Sequence, residues 1–195
     1  MIVRSMAIML AASVVLTCRA SAQPDTLNKA NIEILAGASV PTSNVYEDDD
    51  MNIAGFNGSI RLLWDPGRRL SVGLEGGLLH LAHSKDDYID TEFGRTKRAN
   101  SLNAYPLMLH FRMRIWKIEL MLGLGAALVA SKIVAFDDVS LSTVITSSKL
   151  YGVGYSLALT DRLTLGCEFK YYSFSSPELT VASIQARAVY TLMVW

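Results

Sequence analysis

From residue 31 to residue 195 the chain repeatedly alternates two kinds of side chain at a spacing of two. In one segment Tyr105, Leu107, Leu109, Phe111, Met113 and Ile115 interleave with Ala104, Met108, His110, Arg112 and Arg114. In the next, Ile118, Leu120, Leu122, Leu124, Ala126 and Leu128 interleave with Glu119, Met121, Gly123, Gly125 and Ala127. Further on, Leu163, Leu165, Cys167, Phe169 and Tyr171 interleave with Thr164, Gly166, Glu168, Lys170 and Tyr172. A period of two belongs to the β-strand, whose successive side chains point to opposite faces. The chain therefore makes strands with one apolar face and one face of charges and glycines.

Eight such segments can be read: Asn31–Val40, Ile53–Trp64, Leu70–Leu81, Leu102–Trp116, Ile118–Val129, Lys149–Thr160, Leu163–Phe174 and Val181–Trp195. Their connections alternate in length. Asp65-Pro66-Gly67-Arg68-Arg69, Trp116-Lys117 and Thr160-Asp161-Arg162 are tight turns. Pro41–Asn52, Ala82–Ser101, Ala130–Ser148 and Ser175–Thr180 read as longer, polar loops. Tight turns at one end and longer loops at the other is the rhythm of an up-and-down antiparallel barrel, with both chain ends on the tight-turn side.

Volume decides which face is inside. An eight-stranded barrel has an interior just wide enough for side chains to fill it. The apolar face carries too many large residues for that space, whereas the charged face is thinned by Gly37, Gly55, Gly73, Gly77, Gly123, Gly125, Gly152, Gly154 and Gly166. The apolar face must then point outward, which only lipid tolerates. The predicted fold class is all-β, an eight-stranded antiparallel up-and-down transmembrane β-barrel. Its lumen should hold Glu33, Arg61, Glu75, His110, Arg112, Arg114, Glu119, Glu168, Lys170 and Arg187 as an interlocked ion network, since a charge taken out of water needs an opposite partner. Trp64, Trp116 and Trp195 fall at the tight-turn rim, where aromatic residues anchor a barrel at the membrane interface.

The rest of the chain is consistent with export. Arg4 followed by an apolar stretch from Met6 to Leu16 and the small-x-small site Ala20-Ser21-Ala22 reads as a signal peptide over residues 1–22. The mature barrel domain then covers residues 23–195. Lipoprotein processing at Cys18 is the alternative, which Thr17 disfavours. Cleavage after Ala22 leaves Cys167 without a partner for a disulfide. A hydrophobic content of 51% without a continuous apolar run long enough for a membrane helix suits strands that are apolar on one side only. A formal net charge of zero argues against a nucleic-acid partner.

With these features the chain resembles the outer-membrane protein β-barrel domain family, which includes small barrels of the OmpA/OmpX type, over Ala30 to Trp195. The resemblance implies a location in a bacterial outer membrane and contact with its lipid and lipopolysaccharide. It is nearly silent on activity. The family's C-terminal assembly signal is a terminal aromatic preceded by apolar residues at alternate positions. Trp195, Met193 and Val189 match it, and Thr191 interrupts it. Arg187 shares the parity of Trp195. Either a bulge separates them, or Ala186, Ala188, Tyr190, Leu192 and Val194 face lipid and Trp195 does not; the second is the expectation. No peptidoglycan-binding domain of the OmpA kind is expected after Trp195.

Three functional classes follow. The favoured one is a non-enzymatic scaffold that displays loops, a monomer meeting an envelope protein partner through them, with no cofactor. The second is a narrow pore. The third is a lipid A-modifying enzyme, for which a nucleophile, a His and a carboxylate must converge. His80 and His83 stand near Ser84, Asp86 and Asp87 in sequence, a composition that any polar loop could also show. Glu47-Asp48-Asp49-Asp50 could attract a hard cation but lacks EF-hand spacing, and reads as a solvated loop. The charges between Lys85 and Arg98 could meet lipopolysaccharide phosphates or a protein.

Overall fold

A computed structural model describes residues 27–42, 54–67, 69–91, 94–135, 138–176 and 178–195, with backbone alone for residues 82–91, 94–100, 133, 135 and 138. Among the described residues there are eight strands. They are β1 (Lys29–Pro41), β2 (Gly55–Asp65), β3 (Leu70–Thr91), β4 (Gly94–Ile115), β5 (Ile118–Ala135), β6 (Asp138–Ala158), β7 (Leu163–Ser175) and β8 (Glu178–Val194). Each pairs antiparallel with its sequence neighbours, and β1 pairs with β8 to close the barrel. Closure leaves no open edge within the wall, the condition for a sheet to lie in lipid.

The alternation seen in the sequence becomes inside and outside. In β2 every second residue from Gly55 to Asp65 is buried. The intervening Phe56, Ile60, Leu62 and Trp64 are exposed, as are Ile34, Leu107 and Ile184 on other strands. On β4 the outward apolar run goes from Tyr105 to Ile115. About ten residue steps at roughly 3.3 Å each, tilted by about 40°, rise about 25 Å, the height of the apolar band of an outer-membrane barrel. The band ends in polar outward positions, among them Lys149 on β6, Ser173 on β7 and the Thr42–Thr180 hydroxyl pair at 2.9 Å.

The tight turns are built from local chemistry. Asp65 Oδ1 accepts from the Gly67 amide at 3.1 Å, and Gly67 takes the left-handed φ of 68° that suits glycine. Thr160 Oγ1 accepts from the amides of Arg162 and Leu163. Trp116, a bulky residue, holds φ at 62° in the two-residue β4–β5 turn. The first and last strands of the wall meet at this rim, where Asn28 and Trp195 exchange backbone hydrogen bonds of 2.8 and 3.0 Å.

The structure revises the other end. Ala82–Ser101 and Ala130–Ser148 are not loops: β3 and β4 stay paired out to Thr91↔Gly94, and β5 and β6 out to Ala135↔Asp138. On β6, where residues 139 to 145 are all exposed, both faces meet water, so the alternation that marks a lipid-facing strand fades while backbone pairing continues. Ser175–Thr180 also contracts, since β7 ends at Ser175 and β8 begins at Glu178. The β6–β7 ladder stops at Ser148↔Phe174. The last strand is corrected too. Its register with β1 shifts between Asn31↔Thr191 and Ala30↔Met193, a bulge that returns Met193 and Trp195 to the outward side. Arg187 stays buried and Trp195 is exposed, so the two no longer conflict.

Candidate functional site

The densest polar cluster lies inside the barrel at mid-height. The ladder sets Glu33, Arg61 and Glu75 side by side on β1, β2 and β3. His110 and Arg112 enter from β4, Glu119 from β5, Glu168 and Lys170 from β7 and Arg187 from β8. All nine are at most 2% exposed. The glycines explain how they fit. His110 lies between Gly73 and Gly123, Lys170 beside Gly152, Glu168 beside Gly154 and Arg187 beside Gly166. A Cβ on Gly166 would approach the Arg187 guanidinium to 3.3 Å, and one on Gly154 the Glu168 Cγ to 3.3 Å.

Arg61 is the hub. Its guanidinium donates to Glu33 at 2.6 Å, to Glu75 at 2.9 Å and to both oxygens of Glu168 at 3.0 and 2.9 Å. Arg112 holds the other oxygen of Glu33 at 2.5 Å. Lys170 reaches Glu75 at 2.6 Å. Arg187 bridges Glu168 at 2.5 Å and Glu119 at 2.6 Å, and also donates to Ser156, which itself donates to Glu119. His110 Nδ1 stands 3.2 Å from Glu75. Many of these pairs cross the lumen rather than run along the wall: Arg61 on β2 meets Glu168 on β7, Arg112 on β4 meets Glu33 on β1, and Arg187 on β8 meets Glu119 on β5.

Apart from His110, the fully buried layer holds four glutamates against Arg61, Arg112, Lys170 and Arg187, a charge balance of zero. Arg114, expected inside this layer, lies at the tight-turn rim with its side chain 47% exposed, 3.3 Å from Glu119 and 3.9 Å from Asp65. Parity gives the face of a residue and not its height in the lumen, which is why the sequence placed it deeper. Below the layer a cavity of about 390 Å³ opens at the tight-turn end, lined by Lys29, Asp65, Arg114 and Asp161 among others. Above it the Asn57 side chain bonds both Ser183 and Gln185 at 2.7 Å. Higher still the lumen is apolar: Leu79, Leu81, Met108, Leu150, Tyr172, Phe174, Leu179 and Val181 are buried together. The rings of Tyr172 and Phe174 stack at a centroid distance of 6.4 Å.

No protein-family model and no curated protein matches the chain. Solved structures do. A major outer membrane protein from Thermus thermophilus superposes with a TM-score of 0.58 at 14% identity, covering 84% of this chain and 99% of that one. Ail, the attachment invasion locus protein of Yersinia pestis, gives 0.53 at 18%, covering 85% and 99%. Neisserial surface protein A gives 0.52 at 14%, covering 84% and 97%. The chain has the fold of the small outer-membrane β-barrels.

Within this outer-membrane barrel fold, Trp64, Trp116 and Trp195 are all exposed at the tight-turn rim, 51%, 86% and 56% respectively. The enzyme constellation is not assembled by the described residues: His80 Nδ1 contacts Asn103 Oδ1 at 2.7 Å, and the side chains of His83, Ser84, Asp86 and Asp87 lie outside the described set. So do Cys18, the signal segment and the acidic run 47–50. Sequence reading missed Asp65, Asn57, Ser156, Ser183 and Gln185. Asn57, Ser183 and Gln185 share the parity of the lumen charges on their strands and Ser156 that of the lumen-side Gly152 and Gly154, so extending the face assignment to neutral polar residues would have found these four; Asp65 has the parity of Arg61 but reads as the first residue of a turn.

Proposed function

We propose that this chain is an outer-membrane barrel serving as a structural and interaction scaffold, which holds its long hairpins outside the cell on a lumen closed to ions. The observation that carries this reading is the charged layer: four acids and four bases, each at most 2% exposed and each paired with the opposite sign. An ion entering the lumen would have to break several of these pairs in surroundings of low dielectric. The cavity at the tight-turn end stops at this layer, and the apolar cluster above adds a second barrier to hydrated ions. Planar-bilayer recording of the purified chain tests it. Silence, or rare unselective events, agrees with a scaffold; a steady, ion-selective conductance overturns it in favour of a pore.

Export by a signal peptide over residues 1–22, a monomeric state, contact with lipopolysaccharide and an envelope protein partner belong to the same proposal. Intact-mass measurement of the protein purified from membranes distinguishes cleavage after Ala22 from acylation of Cys18. Trp64, Trp116 and Trp195 serve in it as anchors at the inner rim of the band.

A further inference from the structure

The strands β1, β3, β5 and β7 all start at the tight-turn end, and each carries one glutamate of the charged layer: Glu33, Glu75, Glu119 and Glu168. At the same parity, each also has a base at its tight-turn end: Lys29, Arg69, Lys117 and Arg162. The ladders fix where these bases sit. Lys29 lines the cavity below the layer. The Arg69 carbonyl accepts from the Arg114 amide at 2.7 Å, the Lys117 carbonyl from Ser156 at 3.3 Å and the Arg162 carbonyl from Thr191 at 2.9 Å. Arg114, Ser156 and Thr191 all line the same cavity. Residues opposite one another in a ladder share a face, so Arg69, Lys117 and Arg162 stand on the lumen side at the cavity mouth. All three are exposed. The outward side of this rim belongs instead to Trp64, Leu70, Trp116 and Ile118. One base on every second strand thus rings the mouth, with its backbone held by the wall.

The charges around this cavity do not balance. Below the neutral layer, the cavity and its mouth hold Lys29, Arg69, Arg114, Lys117 and Arg162 against Asp65 and Asp161, a surplus of three positive charges. Of the five bases only Arg114 makes an ion pair among the described residues, to Glu119 and to Asp65. The chain as a whole is neutral, and the opposite sign collects at the other end. There residues 42–53, 82–101, 130–149 and 175–180 hold eleven acids and six bases. A cleft rimmed by one sign of charge concentrates ions of the other.

We propose that this vestibule is a binding site for a small multivalent oxyanion from the periplasm, a polycarboxylate or an oligophosphate whose negative charge matches the surplus of three. The volume of about 390 Å³ lies within the usual range for small-ligand pockets. Guanidinium groups hold carboxylate or phosphate oxygens through paired N–H donors, and lysines add point charges. The charged layer closes the inner end, so an anion drawn in is held and not passed on. The lumen-side placement of the bases favours a soluble anion over a lipid headgroup. The inference rests on the reading that this end faces the periplasm and that the lumen above it is closed.

The test titrates citrate and pyrophosphate into the full chain in phosphatidylcholine nanodiscs by calorimetry, with acetate and empty nanodiscs as controls. Both multivalent anions should bind at least about tenfold more tightly than acetate, and about 1 M salt should abolish the binding. Lys117→Gln or Arg162→Gln should each weaken it about tenfold, and Arg69→Gln/Lys117→Gln/Arg162→Gln should lose it. Lys149→Gln, at the far edge of the apolar band, should leave it unchanged. Unchanged heat-modifiable gel migration shows that the variants have folded. The site is overturned if multivalent and monovalent anions bind alike, or if binding survives neutralisation of the ring. It is also overturned if brominated phosphatidylglycerol quenches Trp116 beyond its share of the bilayer and Lys117→Gln abolishes the excess, which would assign the ring to lipid headgroups. Planar-bilayer recording separates the two readings: a silent chain that binds no anion refutes the site alone, and a steady conductance refutes the closed scaffold.

Discussion

Replacing Arg61 by methionine is the sharpest test of the charged layer. The side chain is fully buried and its guanidinium makes four hydrogen bonds, 2.6 to 3.0 Å long, to three glutamates. Arg61→Met leaves four buried acids facing three buried bases, so one negative charge is uncompensated. Each glutamate keeps a second partner: Glu33 keeps Arg112 at 2.5 Å, Glu75 keeps Lys170 at 2.6 Å and Glu168 keeps Arg187 at 2.5 Å. The loss is therefore that of breaking one buried pair, about 3–5 kcal/mol, not the sum of four bonds. If net charge is the cause, Arg61→Met/Glu168→Met should recover at least half of the loss, because the layer returns to balance and two apolar side chains of similar volume fill the gap. Urea unfolding in phospholipid vesicles, followed by tryptophan fluorescence and by migration of unboiled samples, measures both variants. A single-variant cost below about 1 kcal/mol, or a double variant no more stable than the single, would refute the electrostatic account.

The other tests concern volume, lipid contact and strain. Gly152→Leu should cost about 1–3 kcal/mol, since its Cβ already meets Phe169 O at 2.9 Å and Met121 Cε at 3.2 Å. Gly76→Leu, whose Cβ has only Leu107 Cδ1 at 3.9 Å, should be neutral or stabilising in the same urea assay. Leu122→Arg, on the outward face of β5, should destabilise the barrel in vesicles by about 2–4 kcal/mol, as an arginine held in the hydrocarbon does. Cys167 is exposed on the outward face of β7. In vesicles of the Cys18→Ser chain it should resist a water-soluble maleimide, react with a lipid-soluble one, and react with both after unfolding. Trp116→Gly should relieve about 1 kcal/mol of backbone strain at φ 62° in detergent micelles and gain less in vesicles, where the anchoring indole is also lost.

The parts of the fold that lipid dictates were legible in the sequence. A strand between hydrocarbon and a narrow lumen must alternate, so Tyr105 to Ile115 and Ile118 to Leu128 declared their faces residue by residue. The lumen charges followed from the same parity and from volume. Three things did not follow. The β3–β4 and β5–β6 ladders run on to Thr91↔Gly94 and Ala135↔Asp138, and on β6 the exposed residues 139 to 145 show no contrast between faces, so stretches read as loops concealed paired strands. Arg114 showed that parity is blind to height. Leu79, Leu150 and Phe174 lie on the lumen side, yet the expectation of charge inside and apolar outside gave them no place; the lumen needs filling above the ion layer as much as at it. The last strand carried contradictory parities at Arg187 and Trp195, and only a bulge satisfies both. Sequence signalled the conflict there, and the expectation of an unbroken register that turns Trp195 away from lipid was the wrong choice between the two solutions.

The ion pairs that span the lumen have a consequence for assembly. A ladder between neighbouring strands can form while a sheet is still open, but Arg61–Glu168, Arg112–Glu33 and Arg187–Glu119 join walls that meet only when β1 reaches β8. Until that moment only pairs between adjacent strands, such as Arg61–Glu75 and Arg187–Glu168, can offset the charges, and the layer lies incompletely matched beside hydrocarbon, a state lipid disfavours. Closure therefore completes neutralisation. A half-inserted sheet has no resting place, and the step that seals the wall is the step that turns eight separate liabilities into one neutral brace.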